Sequence, residues 1–375
     1  MRLLVVNAGS SSLKLALLDE HDRTLASREL DTPGSRLDAG ELQRALAGDL
    51  AGADAVGHRV VHGGERFRAA VRVDEHVRAA LTELVDLAPL HQPKSLAALD
   101  ATTRALPGVP AVACFDTAFH ATLSPAASTY ALPAQWRERW GLRRFGFHGL
   151  SHGWVARRAP LLLGQDGAAL RIVSCHLGAG ASLCAISAGQ SRETTMGFTP
   201  VEGVVMATRS GSVDPGLLMW LLTRPGTGEH APPSAEELSQ ALEHRSGLLG
   251  LTGSADMREV LSAARRGDPD ASLGIDVYIH RLQAAIAAMA AALHGLDVLV
   301  FTGGVGQRSS EVRERAAAGL GFLGVELDAQ RNAQAGEGAD TAIGAQGAPV
   351  HTLVLAARED LEIARQTRRV LEQGD

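Results

Sequence analysis

A carboxylate, two arginines and several histidines stand in this sequence among glycines and small polar residues, where side chains can reach a ligand. Asp116 follows the apolar run Val109 to Phe115. A carboxylate at the C-terminal end of a buried strand can bind a metal or position a nucleophile; a helix cap or a salt bridge are the ordinary alternatives. Arg59 sits in Gly57-His58-Arg59-Val60-Val61-His62-Gly63-Gly64 and Arg209 in Thr208-Arg209-Ser210-Gly211. Such loops let a guanidinium reach a phosphate or carboxylate. Three turns, Asn7-Ala8-Gly9-Ser10-Ser11-Ser12, His176-Leu177-Gly178-Ala179-Gly180 and Thr302-Gly303-Gly304-Val305-Gly306, carry amide donors without bulky side chains. One such turn alone reads more readily as a plain polar hairpin turn, but three in one chain point to a polyphosphate bound in a cleft between domains.

Two further patterns invite other chemistry. His58 and His62, and His148 and His152, stand four apart. On a strand the first pair lies about 13 Å apart, too far to share one ion, and the second lacks the Glu of a zinc-protease helix. Gly149-Leu150-Ser151-His152-Gly153 matches a nucleophile elbow, with His62-Gly63-Gly64 upstream like an oxyanion loop. The rival reading is therefore a serine esterase using Ser151, with Asp297 and His351 as partners. It leaves the glycine turns without a task.

The elements that must position these residues follow from periodicity. Leu3 to Val6 and Leu13 to Leu18 read as two strands of an opening hairpin. Glu75 to Leu87 and Leu96 to Leu106 read as helices, Val109 to Phe115 as a strand that delivers Asp116. From Arg171 the opening repeats: strand, small-residue turn, strand, with His176 where Asn7 stood and Gly178 where Gly9 stood. That repeat predicts two similar domains in tandem. The second half continues with a helix over Asp276 to Leu293, a strand Val298 to Thr302, the Gly303 to Gly306 turn, a helix from Ser310, a strand Val350 to Leu355 and a closing helix Glu359 to Leu371. A strand, then glycines, then a helix is how backbone amides cradle phosphate.

Composition narrows the class. The 375 residues allow two domains of ordinary size, and a net charge of −6 with 4% aromatics lacks the footprint of a nucleic-acid binder. Only Lys14 and Lys94 are lysines, and neither stands in a Gly-Lys-Ser/Thr sequence, so a P-loop is excluded. Cys114, Cys175 and Cys184 are odd in number and lack paired spacing, which suits a reducing cytoplasm. Four apolar residues before Asn7 are too few for an export signal, and Leu282 to Leu293 is too short to span a membrane.

Taken together, several segments resemble the acetate kinase family. They are Asn7 to Lys14, Gly57 to Gly64, Leu87-Ala88-Pro89-Leu90-His91, Phe115-Asp116-Thr117-Ala118-Phe119-His120, Phe145-Gly146-Phe147-His148-Gly149, and Met196-Gly197-Phe198-Thr199-Pro200 leading to Thr208-Arg209-Ser210-Gly211. The resemblance runs nearly end to end. It implies an α/β chain with a duplicated actin-like (ribonuclease H-like) fold: an N-terminal domain of residues 1–118 plus a returning helix 361–375, a C-terminal nucleotide-binding and dimerisation domain 119–360, and a nucleotide cleft between the two. It also implies a cytoplasmic homodimer that transfers phosphoryl from ATP to acetate, giving acetyl phosphate and ADP, or that acts on propionate.

By motif, the resemblance implies that Asn7, Asp116 and Glu359 organise Mg²⁺, that Arg59 and Arg209 hold carboxylate and phosphoryl, and that His148 stabilises the transferring group, with His91 and His176 close by. Val61, Leu90, Phe147 and Pro200 would line the acyl pocket. Lys14, His176, Gly178, Gly180, Gly303, Gly304, Val305 and Gly306 would meet the nucleotide. The chemistry needs such a set, because a carboxylate attacking a γ-phosphoryl brings anion toward anion; no general base is needed, since the carboxylate is already ionised at pH 7. The sequence departs from the family pattern at Ala179 (usually Asn), Gln307-Arg308 (usually Glu-Asn) and Gln92-Pro93-Lys94 (usually Asn-Pro-Ala).

Overall fold

A computed structural model describes residues 1–9, 12–31, 39–88, 92–226, 228, 231–336 and 338–373. Ser10, Ser11, Pro89, Leu90 and His91 lie outside the described residues. The chain divides into two compact units, one of residues 1–122, 147–154 and 358–375, the other of residues 123–146 and 155–357.

The first unit is built on β1 (Leu3–Ala8), β2 (Ser12–Leu18), β3 (Thr24–Asp31), β4 (Ala55–Val60), β5 (Val71–Arg72) and β6 (Ala111–Phe115), in the order β3-β2-β1-β4-β6-β5. β1, β2 and β3 form an antiparallel meander, β4 runs parallel to β1 and β6 parallel to β4, and β5 closes the edge antiparallel. The apolar run of β1 faces two ways, as the two-residue period of a strand requires. Leu4 and Val6 pack with Leu42, Leu46, Ala98 and Ala101 of the helices Ala39–Ala47 and Gln92–Ala105. Leu3 and Val5 pack with Leu150, Ile363 and Ala364. The closing helix Glu359–Gln373 thus belongs to the first unit. Its seat on β4 demands glycine: a Cβ on Gly57 would lie 2.4 Å from Thr367 Oγ1 and 2.7 Å from Ile363 Cγ2.

The second unit repeats that plan strand for strand. β7 (Arg171–Leu177), β8 (Ala181–Ser187) and β9 (Gln190–Thr194) form the meander, while β10 (Val298–Thr302) and β12 (His351–Val354) continue it in parallel. β11 (Thr341–Ala342) closes the edge, giving β11-β12-β10-β7-β8-β9. Even the backbone bond that leaves the last parallel strand recurs: Asp116 N donates to Val60 O at 3.1 Å, and Leu355 N to Phe301 O at 3.0 Å. Two sheets of one connectivity make this the duplicated actin-like, two-domain α/β fold.

Several elements differ from the sequence reading. The long helix runs Pro269–Ala292, begun by Asp268, whose carboxylate accepts from Ala271 N, with proline in the first turn. Gly303–Arg308 is a short helix rather than an open turn. Residues 147–154 pack with the first unit rather than with the C-terminal domain. The reason is local: Leu150 is fully buried in the first unit's core, and Gly149 N donates to Asp116 O at 2.9 Å.

Candidate active site

Arg59 near the end of β4 and Asp116 just past the end of β6 are neighbours because those strands are paired in register. Arg59 Nε and Nη2 donate to Asp116 Oδ2 at 3.0 and 2.7 Å. Arg59 Nη1 donates to Asn7 Oδ1 at 3.2 Å, and Asn7 Nδ2 donates in turn to Glu359 Oε2 at 2.8 Å. Four residues from four distant stretches of sequence thereby form one hydrogen-bonded chain. Burial works against the Arg59 charge, but the Asp116 and Glu359 charges outweigh it and raise its pKa. Burial raises the Asp116 pKa, the Arg59 guanidinium opposes that rise, and the Glu359 charge adds to it. Two carboxylates thus share one guanidinium.

The remaining oxygen, Asp116 Oδ1, is buried and has no hydrogen-bond partner among the described residues. A bare carboxylate oxygen beside a second carboxylate fits a Mg²⁺ ligand. Among the described residues no group of three His, Cys, Asp or Glu side chains is placed to hold a metal. Mg²⁺ usually takes one or two carboxylates, with water and substrate phosphates completing its shell. Lys14 lies directly opposite Asn7 in the β1–β2 register, with its ammonium 3.9 Å from Glu29.

Beside this chain, Val61 and Phe147 are both buried. The Phe147 ring meets the His62 ring edge-on, with centroids 5.5 Å apart. His62 is gripped by Gln92, whose Oε1 accepts from His62 N at 3.2 Å and whose Nε2 donates to His62 O at 3.1 Å. His148, the residue before the helix Gly149–Leu163, adopts a left-handed backbone with φ +57°. Leu90 and His91, expected beside Val61 and Phe147, lie outside the described residues.

The second unit gathers the other expected residues. Gly178 N donates to Gly180 O at 3.0 Å, and a Cβ on Gly178 would stand 3.9 Å from both His176 Nε2 and Gly304 N. The β7–β8 turn and the start of the helix Gly303–Arg308, with Val305 and Gly306 in its first turns, therefore converge. Ala207 N donates to Ala179 O at 3.1 Å, tying that turn to the Arg209 loop. Arg209 Nη1 lies 3.5 Å from Pro200 O. The Pro200 loop is braced by Tyr130, whose hydroxyl donates to Glu202 at 2.5 Å and accepts from Phe198 N at 2.8 Å, and by Arg144, which donates to Glu202 at 2.7 Å and to Met196 O at 3.1 Å.

Sequence reasoning missed these braces, and it missed Arg313. This fully buried arginine donates to Gly306 O at 2.9 Å and Gln307 O at 2.6 Å, capping the glycine helix at its C-terminal end. Its only sequence signal is a charge on the buried face of the helix Ser310–Ala318, beside Val312, Ala316 and Ala317.

The esterase reading fails on geometry. Ser151 is buried inside a helix rather than exposed at a strand-to-helix elbow. Its supposed partner Asp297 is held by Arg171 through bonds of 2.6 and 2.9 Å, and His351 is an exposed residue of β12 in the other unit.

Comparison with known proteins points one way. The sequence profile of the Acetokinase family matches residues 37–365. The chain is 42% identical to the acetate kinase of Nostoc punctiforme, covering 99% of this chain and all of that protein. It is 44% identical to that of Deinococcus deserti, covering the whole of both chains. Among solved structures, Porphyromonas gingivalis acetate kinase superposes with a TM-score of 0.88 at 35% identity, over 99% of each chain. A propionate kinase from Francisella tularensis gives 0.88 at 33% identity, over 98% of this chain and 99% of that one. With the profile spanning most of its length and relatives matched end to end, the chain belongs to the acetokinase family.

Proposed function

We infer that the chain is an acetate kinase, transferring the γ-phosphoryl of ATP reversibly to the carboxylate of acetate to give acetyl phosphate and ADP. The observation that carries this reading is the Glu359-Asn7-Arg59-Asp116 chain with its one bare carboxylate oxygen, in a member of this family. Asp116, Glu359 and Asn7 would hold Mg²⁺, which when bound screens the negative charge of the phosphates. Arg59 and Arg209 hold acetate and the transferring phosphoryl, and neutralise the charge that spreads over its equatorial oxygens. His148 donates to the same oxygens. Val61 and Phe147 face the methyl group, while His176, Gly178, Gly180 and Gly303 to Gly306 present amides and an imidazole to the nucleotide, with Lys14 an added cation.

Trapping the product with hydroxylamine tests this directly. Acetate, ATP and Mg²⁺ should yield acetyl hydroxamate; an enzyme that forms none with acetate or propionate overturns the reading. The likeness to a propionate kinase favours propionate as a second acceptor, since one methylene shifts kcat/KM by only about 1–3 kcal/mol in an apolar pocket. A homodimer and a cytoplasmic site complete the proposal. The helix Pro215–Thr223, with no buried residue and with Leu217, Met219 and Trp220 about half exposed, supports the first. Three buried free thiols support the second.

A further inference from the structure

His148 is not glycine, yet its backbone is left-handed, and both peptides that flank it are held from outside. On its C-terminal side, Gly149 N donates to Asp116 O at 2.9 Å; a Cβ on Gly149 would fall 2.1 Å from that oxygen and 2.8 Å from Phe119 Cβ, so the contact admits glycine alone. On its N-terminal side, the Phe147 carbonyl oxygen lies 3.0 Å from His120 Nε2. A carbonyl only accepts, so this geometry requires the His120 proton on Nε2. His120 is almost fully buried in the one-turn helix Ala118–Thr122, with its ring edge-on to Phe119 and to His152, centroids 5.7 Å away in each case. The five residues from Asp116 to His120 therefore grip the chain on both sides of His148, the first through its main chain and the last through its ring.

We propose that His120 is a positioning residue: its Nε2 proton on the Phe147 carbonyl locks the left-handed backbone that aims the His148 ring at the transferred phosphoryl. The proposal rests on the role given to His148 above. Without the Nε2 donor the 147–148 peptide is free to rotate, and the ring leaves its line while the acetate and nucleotide contacts stay intact. Loss should therefore fall on kcat and not on KM.

The test compares His120→Leu, which removes the donor, with His120→Gln, whose amide nitrogen reaches as far as Nε2. Acetyl phosphate formation should drop about 10- to 100-fold in kcat for the leucine variant, with both KM values within about twofold, and should recover to within about threefold of wild type in the glutamine variant. In a His148→Ala background, adding His120→Leu should cost nothing further, because the two act through one ring. Equal activity of the leucine and glutamine variants, or a leucine loss that multiplies with the alanine loss, overturns the proposal. Full kcat in His148→Ala alone removes the role of His148 itself, a separate and recognisable failure. If His120→Leu does not fold, His120→Asn replaces it: its amide is one bond too short, so a kcat matching His120→Gln is the overturning result.

Discussion

Asp116 divides its two oxygens between tasks, Oδ2 on Arg59 and Oδ1 bare, and the division makes a sharp prediction. Asp116→Asn keeps the shape but removes the charge. It should lower kcat roughly 100-fold or more and raise the Mg²⁺ concentration for half-maximal rate. It should also lower the unfolding midpoint, since a buried guanidinium that loses its anion costs roughly 3–5 kcal/mol. Normal turnover with an unchanged Mg²⁺ titration would sink the metal assignment. Ala179 offers the opposite change. Its carbonyl makes the bond to Ala207 and its side chain is exposed, so Ala179→Asn adds an amide without disturbing the turn. If the turn meets phosphate, one new bond to a charged group is worth roughly 1.5–3 kcal/mol, or about tenfold or more in kcat or in nucleotide affinity. Steady-state kinetics over ATP concentration decides it, and no change in either would place Ala179 away from the nucleotide. At this scale Asn7, Arg59, Asp116 and Glu359 stood out in the sequence, and the structure joins all four through side-chain bonds. The sequence concealed the tasks of Gln92 and His120, whose bonds go to main-chain atoms and leave no complementary residue type to find, and that of Arg313, whose side-chain partner, Asn332, lies 19 residues away with no pattern to link them.

Among the elements, β4 and the turn that follows it bury two histidines. His58 is buried with neither ring nitrogen bonded among the described residues, and burial lowers its pKa to about 4. Burial also lowers that of His62 to about 4. Both titrate near 6.5 when unfolded. The unfolded chain therefore takes up protons first on acidification. The stability tied to each histidine is complete above pH 6.5 and drains toward pH 4 at about 1.4 kcal/mol per pH unit. His58→Leu removes one of these sites, and its urea midpoint should fall less steeply between pH 6.5 and 4.5 than that of the wild type; equal slopes would reject the assignment. The strands of the opening hairpin were legible because their apolar runs are unambiguous. β3 was not, since Thr24–Asp31 is an exposed edge with almost no buried residue to mark it. The helix Gly303–Arg308 was hidden by its glycines, poor helix formers whose last carbonyls Arg313 ties down.

Over the whole molecule, the duplication was legible from a single echo, Asn7 against His176, because both stand at the end of the first strand of a meander. The equivalence extends to Asp116 and Leu355, so one copy of the plan keeps a carboxylate where the other is apolar. The return of residues 147–154 to the first unit was not legible, since it depends on the Gly149 to Asp116 contact and not on any local pattern. The apolar helix Pro215–Thr223 carries the prediction at this scale. Leu217→Glu combined with Trp220→Glu should shift the sedimenting species from two chains to one, whereas an unchanged mass would move the interface elsewhere.

The place of the closing helix also orders events during synthesis. A ribosome delivers residues 123–357 before it delivers residues 358–373, so the second unit has all of its chain while the first still lacks the helix that covers Gly57 and the carboxylate that meets Asn7. The half of the molecule made first is finished last. A nascent chain therefore cannot assemble the Glu359-Asn7-Arg59-Asp116 chain until Glu359 itself has left the tunnel.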